Sequence, residues 1–467
     1  MNPADFAFLP LGEAARLLRA REVSAREAAE ACLGRIEADG GAAGGAHGAW
    51  VEVLAERALA RADALDRGPV SGPLHGVPFA VKDFFEIEGV RCTCGSARDL
   101  PAAALPGTRT APAVRALEEA GAVLLGTLNL HEWAFGATST NPHHGSVRNP
   151  RDPARVPGGS SGGSAVAPAL GMAFLALGTD TGGSVRLPAS WCGVAGLKVT
   201  PGAISSAGCF PLSWSLDSVG PLARSVADLA VAWDVLAATA TGPAIARDPA
   251  APTGWEGARV GVVRGDLDPP GGMDAGVRQA VEAAIATIEG AGAHIVEIDL
   301  PGLADVTAAQ LTITLAEAAT VHSGARRAER ARYGEDVRRL LALGDLVAAR
   351  DYLAAQRFRR TFVRAVVRAF DGVDVILSPT TPDRAEPIGV ETVRWPDGSE
   401  QPVLEACIRF LLRWNLGGAP ALSLPCGLED GLPVGLQLAA RPGGERTLLA
   451  LGSEAEERFG WVYPVAR

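Results

Sequence analysis

The apolar positions of this chain change repeatedly between helical and strand spacing. Near the N-terminus the spacing is helical, because Leu11, Ala14 and Leu18 fall on one face, and Ser24 with Glu27 forms a capping box that opens the next helix. Helices covering both faces of a large, mixed, mostly parallel sheet would give this alternation, so the pattern predicts an α/β fold. The predicted helices cover residues 11–38 (two helices), 52–66, 110–120, 225–238, 276–290 and 304–371, and the predicted strands cover 77–81, 122–125, 260–263, 294–298, 374–378, 421–424 and 434–438.

Two segments give a weaker pattern. Val166–Leu177 is apolar almost throughout, which fits a buried helix as well as a buried strand, and its length favours a helix. Residues 240–257 are rich in proline, glycine and alanine and predict a link between elements.

Composition and charge narrow the class of protein. The chain has 467 residues, is 48% hydrophobic and carries a net charge of −10, which argues against nucleic acid as a partner. No uncharged apolar run reaches about 18 residues, and the N-terminus lacks a basic region followed by an apolar one, so we expect neither a membrane span nor a signal peptide. The seven cysteines are scattered without metal-ligand spacing. We therefore expect a cytoplasmic protein with reduced thiols, no metal and no cofactor.

Two clusters of glycine and serine carry the candidate chemistry. The first runs from Pro157 to Ser164 and the second from Gly178 to Arg186. Glycines at this density usually mark close approach of the backbone or unusual dihedral angles. A hydroxyl beside free backbone N–H groups can supply both the attacking oxygen and the oxyanion hole of acyl transfer.

The first cluster also matches the nucleophile elbow of α/β-hydrolases, with Ser160 or Ser161 at its centre. That motif requires a strand before it, and the three prolines in residues 148–157 exclude a central strand. Only His294 and His322 follow as candidate bases, in segments without a matching pattern. A P-loop is excluded because no Gly-Lys-Ser/Thr follows the glycines. These two interpretations are therefore disfavoured.

Lysine is the alternative base. Lys82 and Lys198 are the two lysines of the chain, among 43 lysines and arginines together. Lys82 follows the apolar run Val77–Val81, and a buried lysine can become neutral whereas an arginine cannot. Chance retention of Lys82 in a salt bridge remains open from the residues alone, and a structural role is favoured for Lys198.

Several long segments, in order, resemble the amidase signature family. The resemblance runs from about residue 10 to 455 and rests on Leu74–Asp83, Gly126–Ala134, Pro157–Ser164, Gly178–Pro188, Leu216–Leu222, Asn415–Gly427 and Gly431–Gln437. It implies one domain over residues 1–467, with a helical part over about 1–70 and a more variable part over about 240–370.

The resemblance also implies roles for the residues of the two clusters. Ser184 would be the nucleophile, Ser160 a bridging serine held by a cis peptide bond, and Lys82 the base. The oxyanion hole would be formed by the backbone N–H groups of Thr181, Gly182, Gly183 and Ser184. Supporting positions would be Ser161, Thr179, Asp180 and Arg186, although a plain structural ion pair would equally explain the last two.

The same resemblance places an apolar substrate pocket at Trp133, Phe135, Phe210, Trp214 and Leu216, each of which could singly be plain core. Such a lining fits neutral acyl or aryl groups. Ile408 stands where the glutamine-using branch carries an acid. We therefore expect an amidohydrolase, a monomer or homodimer, that acts on neutral aliphatic or aryl carboxylic amides, with anilides, esters or carbamates as further candidate substrates. The alternatives are the glutaminase subunit of a tRNA-dependent amidotransferase and, less favoured, an inactive binding protein on this fold.

Overall fold

The computed structural model describes residues 3–42, 45–97, 108–242, 251–269, 272–325 and 327–461. The α-helices in these ranges are α1 (Pro3–Phe6), α2 (Leu11–Arg19), α3 (Ala25–Ala38), α4 (Ala55–Arg67), α5 (Pro112–Glu119), α6 (Gly162–Ala169), α7 (Arg186–Cys192), α8 (Val226–Leu236), α9 (Ala275–Gly290), α10 (Leu303–Val321), α11 (Arg327–Arg330), α12 (Glu335–Gly344), α13 (Ala349–Ala369), α14 (Val403–Ile408), α15 (Leu412–Leu416) and α16 (Glu445–Phe459). None of the helices in the described ranges is both long and apolar enough to cross a membrane.

The strands are β1 (Trp50–Val53), β2 (Pro78–Lys82), β3 (Val123–Leu128), β4 (Leu175–Asp180), β5 (Ala195–Lys198), β6 (Ser218–Ala223), β7 (Arg259–Val263), β8 (His294–Ile298), β9 (Val375–Pro379), β10 (Thr392–Arg394), β11 (Glu400–Pro402), β12 (Ala421–Glu429) and β13 (Leu432–Ala440). Eleven of the described strands form one sheet in the order β1-β3-β2-β4-β6-β5-β12-β13-β9-β7-β8, and β10 pairs with β11 separately.

Parallel pairing occurs in two groups of this sheet, β3-β2-β4 and β9-β7-β8. Antiparallel pairs join the two groups through β6, β5, β12 and β13, and β1 is antiparallel to β3. The mixed α/β class is confirmed. Because β2 and β4 are parallel neighbours, with Val81 opposite Leu177, their last residues Lys82 and Asp180 lie at the same edge of the sheet.

Local signals account for the elements that the sequence predicts well. The Ser24 side chain accepts from the Glu27 N–H and the Glu27 side chain accepts from the Ser24 N–H, so the capping box that opens α3 is confirmed. The strands predicted over 421–424 and 434–438 are also confirmed as β12 and β13, which pair antiparallel around a turn at Asp430 and Gly431, with φ of 49° and 78°. Asp-Gly is a favoured sequence for such a two-residue turn.

The prediction of a helix over Val166–Leu177 is wrong. Helix α6 ends at Ala169, just after Pro168, and the chain turns at Gly171, whose φ is 68°, before strand β4 begins at Leu175. Every residue from 171 to 180 is buried, so the polar positions that distinguish a helix from a strand are missing.

Other boundaries differ in detail. Residues 50–53 form strand β1, so the helix predicted from residue 52 begins at Ala55. The region 304–371 is confirmed as helical but is divided into α10 to α13. Within the predicted link, residues 243–250 lie outside the described residues.

Candidate active site

Lys82 lies at the end of β2 with its side chain fully buried. Its Nζ is 2.7 Å from Ser160 Oγ, 3.1 Å from Ser161 Oγ and 2.9 Å from Thr179 Oγ1. Burial lowers the pKa of Lys82 from 10.5 to about 7, although the negative charges of Asp217 and Asp180 act in the opposite direction. Near neutral pH the amine can therefore exist in the neutral form and accept a proton.

The backbone of the first glycine–serine cluster packs against Ser139. The Gly159–Ser160 peptide bond is cis, and the Ser139 hydroxyl donates to the carbonyl of Gly158 at 2.9 Å. A Cβ at Gly159 would lie 2.8 Å from Ser139 Oγ, and one at Gly162 would lie closer still to the same atom. Side chains cannot be accommodated at these two positions, which explains the glycines there.

The two clusters contact one another at Ser184. The N–H of Ser161 donates to the carbonyl of Ser184 at 3.2 Å. Ser184 lies in the turn between β4 and α7 and is 9% exposed, whereas Lys82 and Ser160 are 0% exposed. Of the three predicted catalytic side chains, Ser184 is therefore the one that solvent reaches.

The carboxylate of Asp180 organises the turn that carries Ser184. It accepts the N–H groups of Gly183 at 2.8 Å and Val185 at 3.2 Å. The N–H groups of Thr181, Gly182 and Ser184 have no acceptor within the described part of the chain. Of the four amides expected to form the oxyanion hole, the N–H of Gly183 is therefore already engaged by Asp180.

Arg186 and Asp180 form an ion pair at 3.0 Å, and both side chains are fully buried. Burial alone would raise the pKa of Asp180, but the charge and hydrogen bonds of Arg186, with a hydrogen bond from Asn415, hold it well below its usual range. Arg186 also donates to Asn415 Oδ1 and to Gln437 Oε1, each at 2.6 Å. The ion pair and the turn that carries Ser184 are thus held by one hydrogen-bond network. The motifs that contain Asn415 and Gln437 gave no sign of this role.

Residues 27–449 of the chain match the family model named Amidase. The chain belongs to the amidase signature family. It is therefore a hydrolase that acts on amide C–N bonds.

Relatives of two kinds resemble this amidase over almost its whole length. An amidase of Pseudomonas putida is 41% identical and covers 97% of this chain and 96% of its own. A glutamyl-tRNA(Gln) amidotransferase subunit of Anaeromyxobacter dehalogenans (strain 2CP-C) is 40% identical with the same coverage. Among solved structures, a bacterial aryl acylamidase superposes with a TM-score of 0.87 at 25% identity, covering 98% of this chain and 99% of its own.

The predicted substrate residues occupy two places in this amidase. The rings of Trp133 and Phe210 pack 5.1 Å apart, and Trp133 also contacts the rings of His322 at 4.9 Å and Tyr333 at 5.2 Å. Phe135 belongs to the same large apolar cluster. Burial lowers the pKa of His322 to about 4, so its imidazole is neutral and acts as an aromatic wall. No motif in the sequence marks His322 or Tyr333 as a member of this wall.

Phe210 and Trp214 also line a small cavity of about 80 Å³ together with Phe84, Thr179 and Asp217. Trp214 is 52% exposed, so it lies at the rim and is not plain core. Since Thr179 contacts Lys82, this cavity borders the predicted catalytic side chains.

Leu216 lies in a second apolar cluster. Its members Leu411 and Leu412 lie against the turn that carries Ser184, since a Cβ at Gly183 would meet Leu411 and one at Gly182 would meet Leu412. Ile408 belongs to the same cluster and is 6% exposed.

The charged residues that flank Ile408 in the sequence are engaged or exposed. Arg409 donates to the carbonyl of Gly272 and to Gln401, and Glu405 is exposed. Ile408 therefore presents a buried apolar side chain, and neither charged neighbour takes its place in the cluster.

Proposed function

We propose that this enzyme hydrolyses neutral aliphatic or aryl carboxylic amides through an acyl-enzyme on Ser184. The observation that carries the proposal is the contact of Lys82 Nζ with Ser160 Oγ at 2.7 Å in a buried site where the pKa of the amine is lowered to about 7. Among the described residues, the hydrogen-bond partners of Lys82 are hydroxyl groups and no carboxylate. A neutral lysine has one lone pair, so in contact with the Ser160 hydroxyl it can accept that proton and act as a base.

The reaction begins with two coupled proton transfers. Lys82 takes the proton of Ser160 while Ser160 takes that of Ser184, and the Ser184 oxygen attacks the amide carbon. The negative charge that develops on the carbonyl oxygen is held by N–H groups of the turn. We assign this role to Thr181, Gly182 and Ser184, whose amides lack an acceptor within the described ranges. One such donor is worth about 3–4 kcal/mol of the barrier.

Collapse of the tetrahedral intermediate breaks the C–N bond. The proton held by the relay passes from Ser160 to the departing nitrogen, and an amine leaves. Water then attacks the ester carbon of the acyl-enzyme, gives its proton to the same relay, and releases the carboxylic acid with Ser184 restored. Because the base begins and ends neutral, the cycle consumes only amide and water.

Apolar side chains support a neutral substrate. Leu411 and Leu412 lie against the turn, and Trp133 and Phe210 form an aromatic wall near Thr179. Ile408 is apolar, so a substrate whose acyl group carries a free ammonium would lose the hydration of that ammonium without gaining a partner at Ile408. The likeness to a bacterial aryl acylamidase supports aryl amides, anilides among them, and carbamates and esters would enter by the same chemistry.

The acyl-enzyme is the test of this proposal. An activated anilide should give a burst of aniline and an acyl mass on Ser184, and Ser184→Ala should lower kcat by about 10⁴-fold or more. Ser190→Ala is the matched control, because Ser190 lies on α7, is fully buried and its hydroxyl has no partner within the described residues. Full activity in Ser184→Ala would overturn the mechanism.

A second candidate is the glutaminase subunit of a tRNA-dependent amidotransferase. The relatives that are subunits of glutamyl-tRNA(Gln) amidotransferases, at about 40% identity, favour it. It predicts glutamine turnover that appears only when partner subunits are added. Hydrolysis of neutral anilides by the isolated chain, with glutamine unreacted in the presence of those subunits, would favour the first candidate.

A further inference from the structure

Gln310 on α10 contacts the turn that carries Ser184 from outside the two glycine–serine clusters. Its side chain is 1% exposed, and its Nε2 donates to the carbonyl of Thr181 at 2.7 Å. A carbonyl can accept only from the NH₂ end of an amide, so this contact fixes the orientation of the Gln310 side chain. The Oε1 atom is then left buried without a partner among the described residues. A buried amide oxygen without a hydrogen-bond donor destabilises the fold, so its retention points to a role for the other end of the amide.

The contact determines where the next N–H points. The peptide group between Thr181 and Gly182 is planar and trans, so its N–H is directed opposite to its C=O. Holding the Thr181 carbonyl toward α10 therefore turns the Gly182 N–H away from α10, and that N–H has no acceptor in the described ranges.

The turn needs such a restraint because of its glycines. Gly182 and Gly183 adjoin this peptide, and glycine has more backbone freedom than any other residue. The neighbouring peptides are already held: the Asp180 carbonyl accepts from the Ser218 hydroxyl at 3.0 Å and the Gly183 N–H donates to the Asp180 carboxylate. The Thr181–Gly182 peptide lies between them, and its carbonyl is held by Gln310.

We propose that Gln310 is a positioning residue for the oxyanion hole: its NH₂ group holds the Thr181 carbonyl so that the N–H of Gly182 faces the developing negative charge. This inference rests on the proposed acyl-enzyme mechanism. A peptide rotated by half a turn would present its N–H to the free Oε1 of Gln310 and its carbonyl to the substrate oxygen, which would repel the oxyanion. The side chain at position 310 thus selects between two arrangements of one peptide.

Two substitutions separate positioning from plain packing. Gln310→Met keeps the length of the side chain but neither donates nor accepts, so we expect kcat to fall about 10-fold with KM within about twofold of wild type. In Gln310→Glu the ionised carboxylate can only accept hydrogen bonds, so it favours the rotated peptide, whose N–H faces position 310. Its kcat should therefore fall about 100-fold at pH 9. When protonated, the same carboxyl can donate to the Thr181 carbonyl. Burial raises the pKa of a carboxyl, so the ratio of the Glu variant to wild type should recover as the pH falls toward about 6.

The measurement is kcat and KM for one anilide from about pH 6 to 9, expressed as the ratio to wild type, with thermal melting to check folding. Gln279→Met and Gln279→Glu, on the exposed face of α9, are the matched controls and should show a flat ratio near one. A flat ratio for Gln310→Glu, or unchanged kcat in Gln310→Met, would overturn the role of Gln310. If the Met variant does not fold, the pH dependence of the Glu variant decides. Activity that survives Ser184→Ala would instead refute the acyl-enzyme mechanism, so the two failures are distinguishable.

Discussion

Replacing Lys82 by arginine isolates one requirement of the proposed mechanism, that the base be neutral. Arginine keeps a positive charge and hydrogen-bond donors near Ser160, Ser161 and Thr179, but it cannot lose its proton in a protein. Lys82→Arg therefore tests the protonation state of the group and not merely its presence.

The expected magnitude follows from burial. With the ordinary pKa of 10.5, about 0.1% of lysine side chains are neutral at pH 7.5, whereas with the pKa lowered to about 7, about three quarters are neutral. Removing the base altogether should lower kcat by about 10²–10⁴-fold, the usual contribution of general-base catalysis. In wild type, kcat/KM should be lost as the pH falls below about 7, because the amine becomes protonated, and should stay level from about 8 to 9.

The pH profile alone would not assign the ionisation to Lys82. Burial also lowers the pKa of Lys198 to about 7, and burial raises the pKa of Asp217 to about 7. Because the chain has two lysines, protein labelled with ¹³C at lysine Cε should give two signals. Lys198→Arg assigns them, since Lys198 has no place in the proposed mechanism and its acceptors among the described residues are the carbonyls of Val199 and Ala419.

The signal that remains in Lys198→Arg should titrate near pH 7, in step with kcat/KM. A titration near 10.5 would refute the argument from burial. So would Lys82→Arg with a tenth or more of wild-type activity, or a wild-type rate that falls steadily from about pH 7 to 9 in folded protein.

Four further substitutions test the surroundings of Ser184 and Lys82. Lys82→Met should be inactive, yet its melting temperature at pH 7 should be about 1–3 °C above that of wild type, because a buried lysine with a lowered pKa destabilises the fold. This difference should shrink as the pH rises toward 10. Equal melting temperatures at pH 7 would contradict the prediction. Asp180→Asn should lower stability by about 3–5 kcal/mol in denaturant unfolding, since it leaves a fully buried guanidinium without its carboxylate; a loss below about 1 kcal/mol would show that the pair is dispensable. Gly183→Ala should be inactive, because its Cβ would collide with the Leu411 side chain and because the backbone φ of 116° disfavours any side chain. Gly182→Ala should keep measurable activity, since its Cβ would lie 3.1 Å from the nearest atom. The reverse order of activities would contradict the packing.

The sequence predicts those parts of this enzyme that depend on neighbouring residues. The capping box at Ser24 and the strand that ends at Lys82 have local signals, and both are confirmed. The scarcity of lysine in the chain is enough to single out Lys82 as a candidate base. Such signals exist because a cap or a short buried strand is specified within a few residues.

Contacts between distant parts of the chain have no such signal. Gln310 meets Thr181 across 129 positions, and Gln437 meets Arg186 across 251. Each is an ordinary polar residue in a helix or strand, and only the folding of α10 and β13 around the turn gives it a role. The engagement of the Gly183 N–H is different: it is local, but it depends on which way a glycine peptide faces, and glycine allows both directions.

The ion pair of Asp180 and Arg186 also bears on the base. Asp180 acts to raise the pKa of Lys82, and a carboxylate free to approach the amine would hold it in the charged form that cannot accept a proton. Its oxygens are instead taken by Arg186, Asn415 and the N–H groups of the turn, which leaves Lys82 with hydroxyl partners. A turn without this ion pair could still carry a serine, but a smaller fraction of Lys82 would be neutral at pH 7. The pair therefore supports the proposed chemistry in two ways, by shaping the turn that carries Ser184 and by keeping a negative charge away from the amine.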